Sequence, residues 1–161
     1  MTPVRTRTRL WTEETLLKAQ LRNLVCASAW TVALAPSAAL AQDIAYRLDG
    51  ASIGIDQVEA GEPLYLENCA ACHGEDLVST DSNAKNLSGL SFRYNFAVGP
   101  LAEVYHTLRT EMPPGGGSLS NAEYAAITAY ILNYNGLEPT EDGLLPDHED
   151  DMEGVAVVAE E

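Results

Sequence analysis

The chain is poor in cysteine, in basic residues and in long apolar runs, and each shortage removes a class of function. Three cysteines among 161 residues cannot staple a disulfide-rich scaffold, and a zinc site would need a second CxxC or an HxxxH at matching spacing. Nine Lys and Arg stand against 24 Asp and Glu, a formal net charge of −15. Nucleic acid and anionic membrane surfaces would repel such a protein. The most apolar stretch, LVCASAWTVALAPSAALA from Leu24 to Ala41, is barely long enough to span a bilayer and is interrupted by Pro36. No strand pair of any length is evident.

That stretch reads as an address. Arg5, Arg7 and Arg9 precede it and Ala39-Leu40-Ala41 closes it, the small-x-small pattern of a cleavage site. Residues 1–41 are therefore expected to be a secretory signal peptide cut before Gln42, with an uncleaved N-terminal anchor as the competing reading. Cys26 falls inside the leader, with Asn23 where a lipidation signal would place Leu, and is discarded with it. Cleavage removes five basic and two acidic residues, leaving a mature chain at −18 whose only basic residues are Arg47, Lys85, Arg93 and Arg109. Residues 42–56 form an N-terminal extension, expected as an extended arm or short hairpin. Residues 57–137 are the ordered helical domain. Residues 138–161, EPTEDGLLPDHEDDMEGVAVVAEE, are acidic, poor in large apolar side chains and expected to be disordered. An ordered part this small lacks a generous apolar core, and small exported domains usually add a disulfide, a metal or a cofactor.

Both remaining cysteines lie in Cys69-Ala70-Ala71-Cys72-His73. Zinc would need two further ligands at matching spacing, and only His106 and His148 are left, the latter in the tail. A thioredoxin-like pair would sit between a strand and a helix, whereas GEPLYLEN before the motif is helical in pattern. A disulfide across two residues would be strained and would close almost no loop. What remains is covalent haem attachment: Cys69 and Cys72 add to the haem vinyl groups, and His73 is delivered to the iron as its proximal ligand. For the opposite face the choice is Met112, which opens the stiff segment Met112-Pro113-Pro114 before three glycines. His106 falls off the stripe of Leu101, Val104, Tyr105 and Leu108 and reads as a solvated helix residue, while His148 and Met152 belong to the tail. A thioether opposite an imidazole raises the potential of the iron. If Met112 does not bind, the distal site is open and the protein becomes a haem-binding enzyme or gas sensor.

Helix signals frame this motif. Ser120 and Glu123 form a capping box, and Tyr124, Ile127, Tyr130, Ile131 and Tyr134 follow helical spacing on one face, with Gly136 as the stop. A second helix covers Leu101–Thr110. The helix running into the haem motif has Val58, Leu64 and Tyr65 inward, and Pro63 places its start near Ala60 or Gly61.

Over about residues 57–137 the chain resembles the class I, monohaem c-type cytochromes. In that family a glycine, an aromatic and the first haem cysteine recur at spacings of four on the N-terminal helix, matched here by Gly61, Tyr65 and Cys69. An aliphatic and an aromatic of the C-terminal helix pack on that glycine, matched by Ile127 and Tyr130. The resemblance implies an all-α cytochrome c fold, with N- and C-terminal helices crossing around one covalently bound haem c. It also implies a periplasmic electron carrier rather than an enzyme. The phrase MPPGGGSLSNAEYAAITAYIL resembles bacterial cytochromes that serve dehydrogenases, including quinoprotein types. Electrons would pass from such a dehydrogenase to a terminal oxidase or another cytochrome, and the protein could be the haem subunit of a dehydrogenase complex. The expected partners are basic surfaces of redox proteins, with no nucleic acid and no membrane insertion after signal cleavage. Two departures stand out. Lys85-Asn86-Leu87 replaces the usual Pro-Asn-Leu, whose proline carbonyl accepts a hydrogen bond from the proximal imidazole. Glu111 replaces the common glycine before the ligand methionine, and a carboxylate there favours the oxidised iron unless solvent screens it.

Overall fold

Five helices and one pair of four-residue strands order the described residues of the chain. A computed structural model describes residues 45–115 and 117–160; the expected leader, residues 1–41 with Cys26, lies outside the described residues. In chain order the elements are β1 (Tyr46–Asp49), α1 (Ile55–Asn68), α2 (Ala70–His73), α3 (Gly89–Phe96), α4 (Leu101–Glu111), α5 (Asn121–Tyr134), a 3₁₀ turn (Asp150–Met152) and β2 (Ala156–Ala159). The all-α expectation holds for the body of the protein. Among the described residues no helix is long and apolar enough to cross a membrane.

The helix pair α1 and α5 forms the spine. The capping box read from the sequence is present: the Ser120 hydroxyl accepts from the Glu123 amide, and the Glu123 carboxylate accepts from the Ser120 amide at 2.7 Å. At the other end Gly136 takes φ +94 and the Leu137 amide donates to the Leu132 carbonyl at 3.2 Å, closing the helix with a left-handed turn. Every residue of α5 from Tyr124 to Leu132 is buried, so the helix is enclosed on all sides. Tyr134, expected inward, is 47% exposed in the last turn.

Gly61 is buried at the crossing with α5. A β-carbon there would overlap the Ala126 carbonyl oxygen and lie 2.9 Å from the Tyr130 β-carbon. Beside it Tyr65 is fully buried, its ring centroid 5.4 Å from that of Tyr130. Close backbone approach at a residue without a side chain is what lets the two helices meet here.

Two expectations are corrected. The first helix starts at Ile55, five or six residues ahead of the start drawn from Pro63, and it carries Pro63 inside it. Pro63 is exposed, so water can take the Glu59 carbonyl that loses its helical donor. The early start is fixed from elsewhere: the Ile55 amide donates to the Thr140 carbonyl at 3.2 Å, and the Thr140 amide donates to the Ile53 carbonyl at 3.0 Å.

The second correction concerns residues 138–161, which were expected to be disordered. They fold back along the body. Leu145, Met152, Val155 and Val157 are at most 4% exposed and join the same cluster as Tyr65, Phe92, Tyr105 and Ile127. β2 pairs antiparallel with β1, Tyr46 opposite Ala159 and Asp49 opposite Ala156, so the N-terminal extension is neither a free arm nor a hairpin on itself. Further ties hold the tail in place. Gln57 brackets the Leu145 backbone, donating to its carbonyl at 2.8 Å and accepting from its amide at 2.7 Å. The Leu101 amide donates to the Val155 carbonyl at 2.8 Å. Four buried apolar side chains remove roughly 6–12 kcal/mol worth of surface from water, an upper estimate, and that outweighs the mutual repulsion of exposed carboxylates.

Candidate haem site

The CAACH segment is a tight turn hung from α1. Cys69 follows the last residue of the helix, its amide donating to the Tyr65 carbonyl at 2.8 Å. Its own carbonyl accepts from the amides of Cys72 and His73, at 3.1 and 3.0 Å, which makes the short helix α2 and sets both thiols and the imidazole on one turn. Gly74 ends that turn at φ +80, and the Tyr65 hydroxyl donates to its carbonyl at 2.8 Å. Tyr65 thus has two tasks: its ring packs on α5 and its hydroxyl fixes the residue after His73.

Both cysteines are half-buried free thiols. Burial, with Cys72 adding to it, pushes the Cys69 thiol up to about 11. A dithiol-exchange centre works through a depressed pKa, so this environment is opposite to that of a redox pair.

His73 Nδ1 lies 2.8 Å from the Lys85 carbonyl oxygen. A carbonyl only accepts, so Nδ1 carries the proton and Nε2 keeps its lone pair for a metal. Lys85 therefore supplies the acceptor that a proline carbonyl gives in the resembling family. Other bonds hold the loop in place of proline's stiffness. The Ser79 amide donates to Asn86 Oδ1, the Ser79 hydroxyl to the Cys72 carbonyl and the Leu87 amide to the Leu77 carbonyl, each at 2.8 Å. Asn135 beyond α5 donates to the Leu87 carbonyl at 2.9 Å.

Met112 is half-buried and caps the C-terminus of α4 in an extended conformation, φ −121 and ψ 135. The Tyr124 hydroxyl donates to its carbonyl at 2.7 Å. CAACH hangs from α1 and Met112 is tied to α5, so the crossing at Gly61 links the two candidate ligand segments. Half-buried Leu87, Val104, Leu108 and Leu119 pack against the core from the intervening loops and α4. Glu111 is exposed, so solvent screens its charge. His106 is exposed on α4 and meets Glu149 of the tail at 2.9 Å, which occupies it away from any ligand role. Met152 is fully buried in the tail. An imidazole nitrogen, a thioether and two thiols at C-x-x-C-H spacing are the donor set that suits covalently held haem.

Sequence reasoning missed the Tyr124 hydroxyl. Its apolar spacing was noticed, but a phenol on a buried face also needs an acceptor. It also missed the hydroxyl of fully buried Tyr105, which is shared between the carbonyls of Asn121 at 2.8 Å and Asp147 at 2.7 Å. Burial raises the pKa of both Tyr65 and Tyr105. Tyr105 is pushed up to about 12, Arg109 opposing the shift and Asp147 and Glu149 adding to it. A raised folded pKa favours the neutral phenol. The stability tied to it is fully present below pH 10, the ordinary value, and is lost as pH rises from there through the folded pKa. Chemical denaturation between pH 8 and about 12 is expected to show a flat plateau and then a steep fall above about pH 10, with Tyr105→Phe making that fall shallower.

The family described as cytochrome c oxidase, cbb3-type, subunit III, matches residues 56–131, from α1 to within the last turn of α5. Cytochrome c6 of Diacronema lutheri is 32% identical over 78 residues, which cover 47% of this chain and 94% of that protein. No solved structure matches the chain. β1 and the folded tail lie outside the 56–131 match.

Proposed function

Because the chain belongs to the monohaem c-type cytochromes, electron-transfer proteins that carry covalently bound haem c, we propose that it is an exported one-electron carrier with Cys69 and Cys72 as the attachment points and His73 and Met112 as the axial ligands. The observation that carries the reading is the His73–Lys85 contact: a ring nitrogen committed to a carbonyl leaves the other free to ligate, directly after the two half-buried cysteines. When bound, the haem supplies a reversible one-electron couple at its iron. The chain's own residues do the rest. Lys85 and Tyr65 orient the proximal turn, Tyr124 anchors the methionine loop, and Leu87, Val104, Leu108 and Leu119 supply apolar surface that limits water.

If His73 and Met112 both held the iron, no position at the metal would be left for a substrate, which supports a carrier over an enzyme. The signal-like leader supports a periplasmic location. The −18 charge of the cleaved chain supports docking on basic patches of a dehydrogenase, an oxidase or another cytochrome, with rates that fall steeply as salt is added. A role as haem subunit of a dehydrogenase, of quinoprotein type, belongs to the same reading.

The test is spectroelectrochemistry of the haem-loaded mature protein. The reading expects a single one-electron transition, a weak red absorption band in the oxidised form and no rapid uptake of carbon monoxide in the reduced form. Immediate carbon monoxide binding would move the assignment to a gas-binding or peroxide-activating haem protein.

A further inference from the structure

We propose that Tyr124 is a positioning residue for the distal ligand, its hydroxyl holding the Met112 carbonyl against α5 so that the methionine stays committed to the iron. The proposal rests on the reading of Met112 as that ligand and adds the device that keeps it in place.

The segment that follows Met112 is built from opposites. Pro113 and Pro114 have no amide hydrogen to tie down, and Gly115–Gly117 are the least restrained residues a chain can use. Met112 itself lies one position past the last residue of α4, where helical carbonyls run out of partners. Among the described residues, one side chain bonds the Met112 backbone, and it is Tyr124 at 2.7 Å. Tyr124 is 3% exposed and sits in the first turn of α5, whose next eight residues are buried. The anchor is therefore attached to the most firmly packed element of the fold. A buried phenol without an acceptor is costly, so the contact holds both partners.

The returning arm of the loop depends on the same hydroxyl. A β-carbon at Gly117 would lie 2.7 Å from the Tyr124 hydroxyl oxygen and 2.6 Å from the Arg109 carbonyl. The loop thus passes between the end of α4 and the phenol, and glycine is the residue that fits there.

One hydrogen bond of ordinary net strength corresponds to roughly a five- to tenfold change in an equilibrium constant. Removing it is expected to raise the fraction of molecules whose methionine has left the iron by that factor. The experiment compares haem-loaded wild type, Tyr124→Phe, Gly117→Ala and Met112→Ala by intact mass, thermal melting, the red band of the oxidised form and carbon monoxide uptake by the reduced form. Tyr124→Phe keeps the ring, so normal haem attachment and a melting temperature within a few degrees of wild type are expected. Its carbon monoxide uptake should be about five to ten times faster, and its red band weaker. Gly117→Ala displaces the hydroxyl from the other side and should shift both readings in the same direction. A Tyr124→Phe protein with wild-type uptake and a wild-type band overturns the positioning role while leaving Met112 as ligand. A wild type that already lacks the band and binds carbon monoxide as fast as Met112→Ala overturns the ligand reading and the proposal with it.

Discussion

The mature chain carrying Cys69→Ala and Cys72→Ala together is expected to retain no haem through a denaturing gel, whereas each single variant keeps a reduced, still covalent fraction. The expectation follows from arithmetic and placement. The chain has three cysteines, and Cys26 lies in the expected leader. Removing the pair leaves the mature protein no thiol for attachment. The two positions are not equivalent. Cys69 follows α1 and packs against the core, where burial pushes its thiol up to about 11, while Cys72 sits on the following turn. One thioether still tethers the group, so single substitutions lower yield without abolishing attachment. Haem staining of the gel together with intact mass reads the result. A double variant that remains stained would show that attachment lies outside CAACH.

The second large effect is expected at Gly61, where two principles oppose each other. Alanine has the better helix propensity, by about 1 kcal/mol in a helix interior. The added methyl would meet the Ala126 carbonyl oxygen, with the carbonyl carbon at 2.6 Å and the Tyr130 β-carbon at 2.9 Å. None of these is the far end of a flexible side chain, so α1 and α5 must separate to admit it. Overpacking a tight site costs about 1–3 kcal/mol and sometimes more, which exceeds the propensity gain. Gly61→Ala is expected to be destabilised by about 1–2 kcal/mol net, and Gly61→Leu to lose the folded state and its haem. Exposed Glu59 on the same helix serves as the control, since Glu59→Ala should stay within about 0.5 kcal/mol of wild type. Denaturant titration of the three variants decides. Stabilisation by Gly61→Ala would show that the helices do not meet as closely as the fold requires.

These two sites were legible because the signals that mark them are short-range. Cys69, Cys72 and His73 are contiguous, Ser120 and Glu123 are three apart, and Gly61, Tyr65 and Cys69 recur on one helical face. A reader needs only spacing to find them. The tail was opaque for the converse reason. Its order depends on partners far along the chain: Gln57 with Leu145, Tyr105 with Asp147, Tyr46 with Ala159. Leu145, Met152, Val155 and Val157 share no helical period that could announce them amid the acids. Composition alone therefore pointed to disorder. Pro63 misled through a sound rule applied without context. The rule describes where proline is best tolerated, and the bond from the Ile55 amide to the Thr140 carbonyl of the tail fixed the start of α1 regardless. Lys85 was legible in part: His73 uses a backbone carbonyl, which lysine supplies as proline does, whereas the bonds of Ser79 that replace proline's stiffness join residues seven apart and leave no mark in spacing. Tyr124 lay between these extremes. Its place on the helix was plain, and its hydrogen bond across the loop could be seen only once Met112 had been brought to it.

The most direct measurement is the mass of the proteolytic fragment containing Cys69–His73, taken from mature protein made alongside a competent haem-attachment system. The account predicts a coloured fragment heavier than its amino acids by one haem, with both thiols resistant to alkylation. A colourless fragment of bare peptide mass, alkylated at Cys69 and Cys72, would contradict it.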